Sequence, residues 1–481
     1  MNFAIVRYLI GWMLGIESIF LLLPALTAVI YGEPELPAYL IAAAISLAGA
    51  ALLCHRKPKN TRFYAREGYV TVALCWLILA VIGALPFVLS REIPFFIDAL
   101  FETVSGFTTT GATILGDVEA LSHASMLWRC LTHWVGGMGV LVFMLIVLPL
   151  AGGQTIFLMR AESPGPSVSK MSPHMRDTAT ILYAIYFGLT VLQMILLLIG
   201  GMPFFDAICV SLGTAGTGGF GNWNDSIAHY NSAYLQNVIT VFMILFGINF
   251  SAYFLILTRK FRQAFRIEEI RVYLGVIFVF AGLIAFNVRP MFGSLRESFH
   301  HALFQVASII TTTGFSTVDF DQWPTFSRAL LVLLMFIGAC AGSTGGGIKC
   351  SRILLLGKSV KKELMCLIHP RLVRVNKMDG QRVPHEVMRS INVFVVAYAF
   401  IFILSLLIIS LNCEDLVTCF TSVATTLNNV GPGLSLCGPT CNFGFFPPLS
   451  KGVLIFDMLA GRLELFPMLL LFTPGTWQRN K

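Results

Sequence analysis

The segments "FTTTGAT" (107–113) and "ITTTGFS" (310–316) place three threonines and a glycine between long apolar runs. Each belongs to a longer unit. "DALFETVSGFTTTGAT" starts at Asp98, "DAICVSLGTAGTGGFG" at Asp206 and "HALFQVASIITTTGFS" at His301. A glycine follows each starting residue by thirteen positions (111−98, 219−206, 314−301). A fourth unit, "DLVTCFTSVATTLNNVGPGL" from Asp415, is three residues longer and reaches its glycine at Gly431. Such stretches offer neutral oxygen. Glycine accepts backbone angles that a Cβ forbids, so successive carbonyls can turn inward. A ring of carbonyls can replace the hydration shell of a monovalent cation. Thr108, Thr109, Thr110, Thr311, Thr312 and Thr313 add hydroxyls without charge. No carboxylate lies within the Gly/Thr stretches, which disfavours a divalent site. A large, weakly hydrated ion fits, potassium before sodium. Small residues also serve as helix-packing surfaces. Four copies in register after half-length apolar segments favour the pore.

A second cluster, "FIGACAGSTGGGIKCSR" (336–352), interrupts what is otherwise a spanning helix. Gly342, Gly345, Gly346 and Gly347, with Ser343 and Thr344, hold a regular helix poorly. A break there leaves a loop just below the third Gly/Thr stretch, which reads as a gate, and Lys349 follows at once. "DMLAGRLELFP" sets Arg462 and Glu464 deep in another apolar run, and an intramembrane arginine marks function by default. Its expected partners are carbonyls of the 342–347 loop, or Glu464. "HWVGGMGV" (133–140) reads as a packing cluster. His133 has no evident partner in the sequence and is expected to rest on a backbone carbonyl. An intramembrane enzyme would need convergent His, Asp, Ser or Cys groups, and none emerge.

These residues need a membrane scaffold. The chain has 481 residues, 56% hydrophobic and 12% charged, with a mean hydropathy of +0.78. A soluble protein of this length carries about 25% charged residues. An all-α polytopic membrane protein follows. Apolar spans of helix length lie near 5–31, 36–54, 69–90, 126–150, 178–200, 233–257, 272–288, 327–348, 391–411 and 452–473. The first is read as a retained helix. An even number of spans returns the C-terminus to the side of the N-terminus. The segments 55–68, 159–177, 257–271 and 358–390 are basic, while Asp117, Glu119, Asp225, Asp319, Asp321, Glu414 and Asp415 fall in the alternate loops. The basic set is therefore cytoplasmic, and the net charge of +8 reports topology, not nucleic-acid binding. The outer acids either concentrate cations or simply solvate their loops. Two helices (1–68) precede four repeats of helix, re-entrant segment and helix, at 69–158, 159–258, 259–357 and 391–481, with a basic linker at 358–390. The half-helices aim their negative C-terminal ends at one spot, and Asp98, Asp206 and Asp415 suit their N-terminal caps. The repeats read as parallel, unlike the inverted halves of many secondary carriers. The eleven cysteines show no metal spacing; Cys413, Cys437 and Cys441 allow one disulfide.

The four Gly/Thr segments, "GSTGGGIK", "LNNVGPGL" (427–434) and "GRLE" (461–464) resemble the Trk/Ktr/HKT superfamily of potassium transporters. The two extra N-terminal helices and "MRAESPGP" (159–166) are similar to its TrkH-type membrane subunits. The resemblance implies four helix–pore loop–helix repeats with pseudo-fourfold symmetry, in a homodimer with one pore per subunit. It implies a selectivity filter at Thr109, Thr110, Gly111, Thr217, Gly218, Gly219, Thr312, Thr313, Gly314, Asn429, Val430 and Gly431. The K⁺ substrate would sit on Thr110, Gly111, Gly218, Gly219, Thr313, Gly314, Val430 and Gly431. For the second filter glycine, "TGGF" offers both Gly218 and Gly219. The implied gate is Gly342, Ser343, Thr344, Gly345, Gly346, Gly347 and Lys349, held closed by Arg462. The resemblance also implies a cytosolic TrkA-type ring regulated by NAD(H), ATP or ADP. No GxGxxG or Walker motif occurs in this chain, so nucleotide control falls to that partner, with 159–177 and 358–390 as docking segments. Transport is then either channel-like or coupled to sodium or protons.

Overall fold

The computed structural model describes residues 1–58, 64–147, 175–371 and 375–478. The segment 159–166 and most of 159–177 lie outside that set. Apart from one two-stranded hairpin, Lys377–Met378 against Gln381–Arg382, the regular structure is helical. Two long helices, Phe3–Tyr31 and Leu36–Cys54, form an antiparallel pair at the N-terminus. Small residues let them approach: a Cβ added at Gly11 would lie 2.6 Å from Cys54 Sγ, the close packing that replaces hydrophobic driving force in lipid. Outward faces carry large apolar side chains such as Ile30, Leu52, Val396 and Phe400, each at least 70% exposed. On a soluble protein that surface would aggregate; on a membrane protein it meets lipid.

Four short helices follow the expected pattern. They are Phe96–Phe107, Phe204–Gly216, Leu295–Ile310 and Leu416–Leu427, of 12, 13, 16 and 12 residues. At about 1.5 Å per residue none crosses about 30 Å of hydrocarbon. Each is preceded by a long helix: Ala65–Ser90, Met175–Ile199, Glu268–Val288 and His385–Ile409.

The helices that follow them differ from the sequence expectation in an instructive way. Among the described residues, six helices are long and apolar enough to span unbroken, and one bent pair makes a seventh. The expected span 233–257 is that pair, Ala233–Phe246 and Phe250–Leu257, meeting at 92°. The bend has a cause. Asn249 caps the second piece by accepting from Ser251 N at 2.8 Å. The freed backbone at 247–250 bonds outside its own helix, with Cys340 N donating to Gly247 O (3.1 Å) and Phe250 N to Gly342 O (3.0 Å). The expected span 327–348 ends early, at Ile337, and the chain resumes as Cys350–Ile368. The expected span 452–473 breaks at Glu464 and Leu465, both at positive φ, before Phe466–Leu471. The remaining expected span, 126–150, is helical as His123–Val147, and its last residues lie outside the described set.

Only one of the three aspartates is a helix cap. Asp415 accepts from Val417 N and Thr418 N. Asp98 sits inside the first turn and pairs with Lys451 at 2.5 Å. Asp206 also sits inside its helix, where it accepts from Asn222, Trp223 and Tyr230. All eleven cysteines are free thiols, so the disulfide that the outer cysteines allow is not formed. The Met1 ammonium donates to Gln478 O at 3.3 Å.

Candidate ion pathway and gate

The four Gly/Thr stretches share one backbone signature. A non-glycine residue takes positive φ at Thr109, Thr217, Thr312 and Asn429 (54° to 58°), and two residues later a glycine does the same at Gly111, Gly219, Gly314 and Gly431 (79° to 100°). Left-handed threonine is uncommon and costs free energy. Its repetition at three matching positions, with left-handed Asn429 at the fourth, marks one turn built four times. The signature also settles the second glycine: Gly219, not Gly218, holds the equivalent place. Gly218 lies instead against the His133 ring, where an added Cβ would come within 2.2 Å of Cγ.

The turns close into a ring. A Cβ added at Gly111 would lie 1.9 Å from Gly218 O, at Gly219 2.0 Å from Thr313 O, at Gly314 2.5 Å from Val430 O, and at Gly431 2.7 Å from Thr110 O. Each missing side chain is thus filled by the carbonyl that precedes the next segment's glycine. All twelve candidate filter residues lie in these turns, and all but Gly111, Gly219 and Gly314 are buried. Hydroxyl pairs brace two of them, Thr108 with Thr110 (2.8 Å) and Thr311 with Thr313 (2.7 Å). In the fourth turn an amide replaces the pair: Asn429 Nδ2 donates to Thr110 Oγ1 (3.0 Å) and to Met458 O (2.9 Å).

His133 rests on a carbonyl, as expected, and does more. Nδ1 bonds Gly106 O at 2.8 Å, and Phe220 N donates to Nε2 at 3.1 Å. The ring therefore joins the first half-helix to the segment leaving the second Gly/Thr turn. The "HWVGGMGV" glycines pack: an added Cβ at Gly136 would meet Phe107 O at 1.9 Å, and at Gly137 the Gly216 Cα at 2.7 Å.

The Gly-rich loop runs directly beneath the ring. Gly346 N donates to Thr312 Oγ1 at 2.6 Å, and Gly347 N to Asn428 O at 3.0 Å. Thr344 Oγ1 donates to Phe246 O (3.2 Å). Lys349, buried and at a φ of 83°, turns its ammonium back onto Gly345 O. Arg462 reaches the loop from the fourth repeat, with Nη1 donating to Thr344 O and Nη2 to Gly136 O, both at 2.7 Å. Glu464 does not pair with Arg462; it holds Arg352 at 2.5 Å. One residue at this site carried no sequence signal. The buried Glu269 accepts from Ala341 N (2.6 Å) and Ser351 N (3.0 Å), clamping both ends of the loop with one oxygen. It stands at the start of a spanning helix, where a glutamate reads as ordinary first-turn charge.

Known proteins place this geometry. A family model described as TrkH, cation transport protein, matches residues 37–478. The chain belongs to the TrkH family. Among its relatives, the "Trk system potassium uptake protein TrkH" of Salmonella typhimurium is 38% identical over 485 residues, covering 99% of this chain and all of that protein. The TrkH of Escherichia coli K12 is also 38% identical, with 99% and 100% coverage. The crystal structure of the potassium transporter TrkH from Vibrio parahaemolyticus superposes with a TM-score of 0.89 at 33% identity, covering 99% of this chain and 100% of that one. TrkH-family relatives are named as transport proteins, not enzymes. The chain is accordingly a multi-pass membrane transporter with an all-α fold.

Proposed function

We propose that this chain is the ion-conducting membrane subunit of a potassium uptake system, passing K⁺ inward across the bacterial cytoplasmic membrane with both termini cytoplasmic. The observation that carries the reading is the closed ring of four left-handed glycines, each seated against its neighbour's carbonyl. Carbonyls at Thr110, Gly111, Gly218, Gly219, Thr313, Gly314, Val430 and Gly431 take the place of water around the ion. The names of the relatives supply potassium as the cargo. The loop 342–347 with Lys349 is the gate and Arg462 its latch. Two such chains form the homodimer. A cytosolic nucleotide-binding ring docks on the basic inner segments and moves the gate; it supplies the nucleotide chemistry that this chain lacks.

The test is ion flux into liposomes holding the purified protein, with K⁺ and Na⁺ compared, for wild type and Gly314→Ser. Wild type is expected to prefer K⁺. The added Cβ meets Val430 O at 2.5 Å, so the turn must shift and the preference must weaken. Equal K⁺ and Na⁺ flux through wild type would refute the potassium reading.

A further inference from the structure

Behind the first filter turn lies a buried ion pair. Glu102, on the half-helix Phe96–Phe107, is 0% exposed, and Arg129, on His123–Val147, is 2% exposed. Arg129 Nε and Nη2 both reach Glu102 Oε1 at 2.8 Å. The second carboxylate oxygen, Oε2, accepts from Ile114 N at 3.0 Å and from Thr113 Oγ1 at 3.1 Å. Ile114 lies three residues beyond Gly111 (114−111). Glu102 therefore ties the half-helix to the strand that leaves the first turn. Arg129 reaches the other way, its guanidinium 4.1 Å from the centroid of the Phe220 ring. Phe220 directly follows Gly219. The next residues of the same helix grip Phe220 too: Cys130 Sγ lies 3.8 Å from its carbonyl oxygen, and His133 accepts from its N–H. One ion pair thus braces two adjacent walls of the ring.

Stability does not explain the pair. Burying two charges costs about as much as their attraction returns, and an apolar substitute of similar volume is often as stable. The other three repeats build the same turn without it. Nine residues before each filter glycine (111−102, 219−210, 314−305, 431−422) stand Glu102, Val210, Gln305 and Ser422. All four are buried. The turn itself does not need a carboxylate at this position; of the four, only the first wall has one, and through Arg129 it reaches the second. What a charge-assisted network adds over an apolar contact is fixed geometry.

We propose that the Glu102–Arg129 pair is a selectivity-setting strut: it positions the carbonyls of the first and second filter turns without touching the ion. The inference rests on the potassium reading above. The test uses the full chain in liposomes, with K⁺ and Na⁺ flux measured for wild type, Glu102→Gln and the double variant Glu102→Gln/Arg129→Gln. Glutamine keeps the volume, but an amide cannot both accept from Ile114 N and face a guanidinium with an acceptor oxygen. The K⁺:Na⁺ flux ratio is expected to fall about tenfold through increased Na⁺ entry, the scale of one lost charge-assisted hydrogen bond. The single variant leaves a buried arginine unpaired, so the uncharged double variant carries the test if the single one does not fold. It should show the same loss of preference with a monodisperse elution profile. A selective wild type beside an equally selective Glu102→Gln or double variant overturns this inference and leaves the potassium reading standing. Failure of both variants to fold makes the pair a folding element and overturns it too. Equal K⁺ and Na⁺ flux through wild type overturns the potassium reading and, with it, this inference.

Discussion

Asp98, Asp206 and Asp415 hold matching places in the sequence and do different work. Asp98 neutralises the buried Lys451, Asp206 gathers Asn222, Trp223 and Tyr230, and only Asp415 caps a helix. Hydrogen bonds from the Thr418 and Ser435 side chains hold the Asp415 carboxyl down at about 2. A carboxylate depressed below its unfolded value of about 4 stabilises the fold fully above that pH and loses the contribution as pH falls toward 2. Asp415→Ala is expected to cost about 1 kcal/mol at neutral pH, read as a lower melting temperature in detergent, with the gap to wild type closing below about pH 3. A gap that does not change between neutral and acid pH would show that the side chain acts by something other than its charge. His133 belongs to the same scale. Its position in an apolar run told of burial and a carbonyl partner. It could not tell that the second ring nitrogen accepts from Phe220, because that residue lies 87 positions away in the chain. His133→Ala leaves the Phe220 amide unpaired, at about 1–3 kcal/mol, while the Gly106 carbonyl keeps its bond from Thr109 N (3.0 Å). The expected result is a protein that melts earlier and discriminates K⁺ from Na⁺ less well.

At the scale of elements, the four turns were legible because glycine and threonine at fixed spacing are conspicuous against an apolar background. The loop 342–347 was legible for the same reason. The breaks at 247–249 and 463–465 were less so. A single Asn249 in an apolar run, or Pro467 near its end, changes hydropathy little, yet each coincides with a place where the main chain bonds or turns away from its own helix. The break at 247–249 is explained by the loop segment 340–342, which bonds to main-chain groups of what would have been the second repeat's inner helix. Three sets of contacts therefore hold the loop. Arg462 ties Thr344 to Gly136, the Gly/Thr turns receive Gly346 and Gly347, and Glu269 pins the ends. If the loop is the gate proposed above, Arg462→Ala removes two charge-assisted hydrogen bonds that hold it shut. Partner-free K⁺ flux is expected to rise roughly ten- to a hundredfold. Deleting Gly345–Gly347 should raise it at least as far. Glu269→Gln keeps an acceptor for the two amides and should raise flux less than Arg462→Ala does. Unchanged flux in all three would remove the loop from the permeation path.

For the whole molecule, the decisive relation is between charge, span count and the position of the ends. The basic segments at 257–271 and 358–390 and the acidic residues Asp117, Glu119, Asp319 and Asp321 alternate along the chain. The positive-inside bias assigns the basic set to the cytoplasm. Helix counting alone does not give the parity, since broken spans fail a length criterion that whole ones pass. The contact between Met1 N and Gln478 O supplies what counting lacks, because two residues that touch lie on one side of the membrane. Arg66 also donates to Gln478 O, at 3.5 Å, and it belongs to the basic segment 55–68, so the same side carries the positive charge. On the reading proposed above, that side is the cytoplasm and both termini lie inside. Short epitope tags at either end should therefore resist a membrane-impermeant protease in spheroplasts and be cut in inverted vesicles, both in the same preparation. Tags that separate, one cut from each side, would break the parity on which the parallel arrangement of the repeats depends. In that case the four turns could not share one orientation, and the ring of carbonyls would lose its common axis.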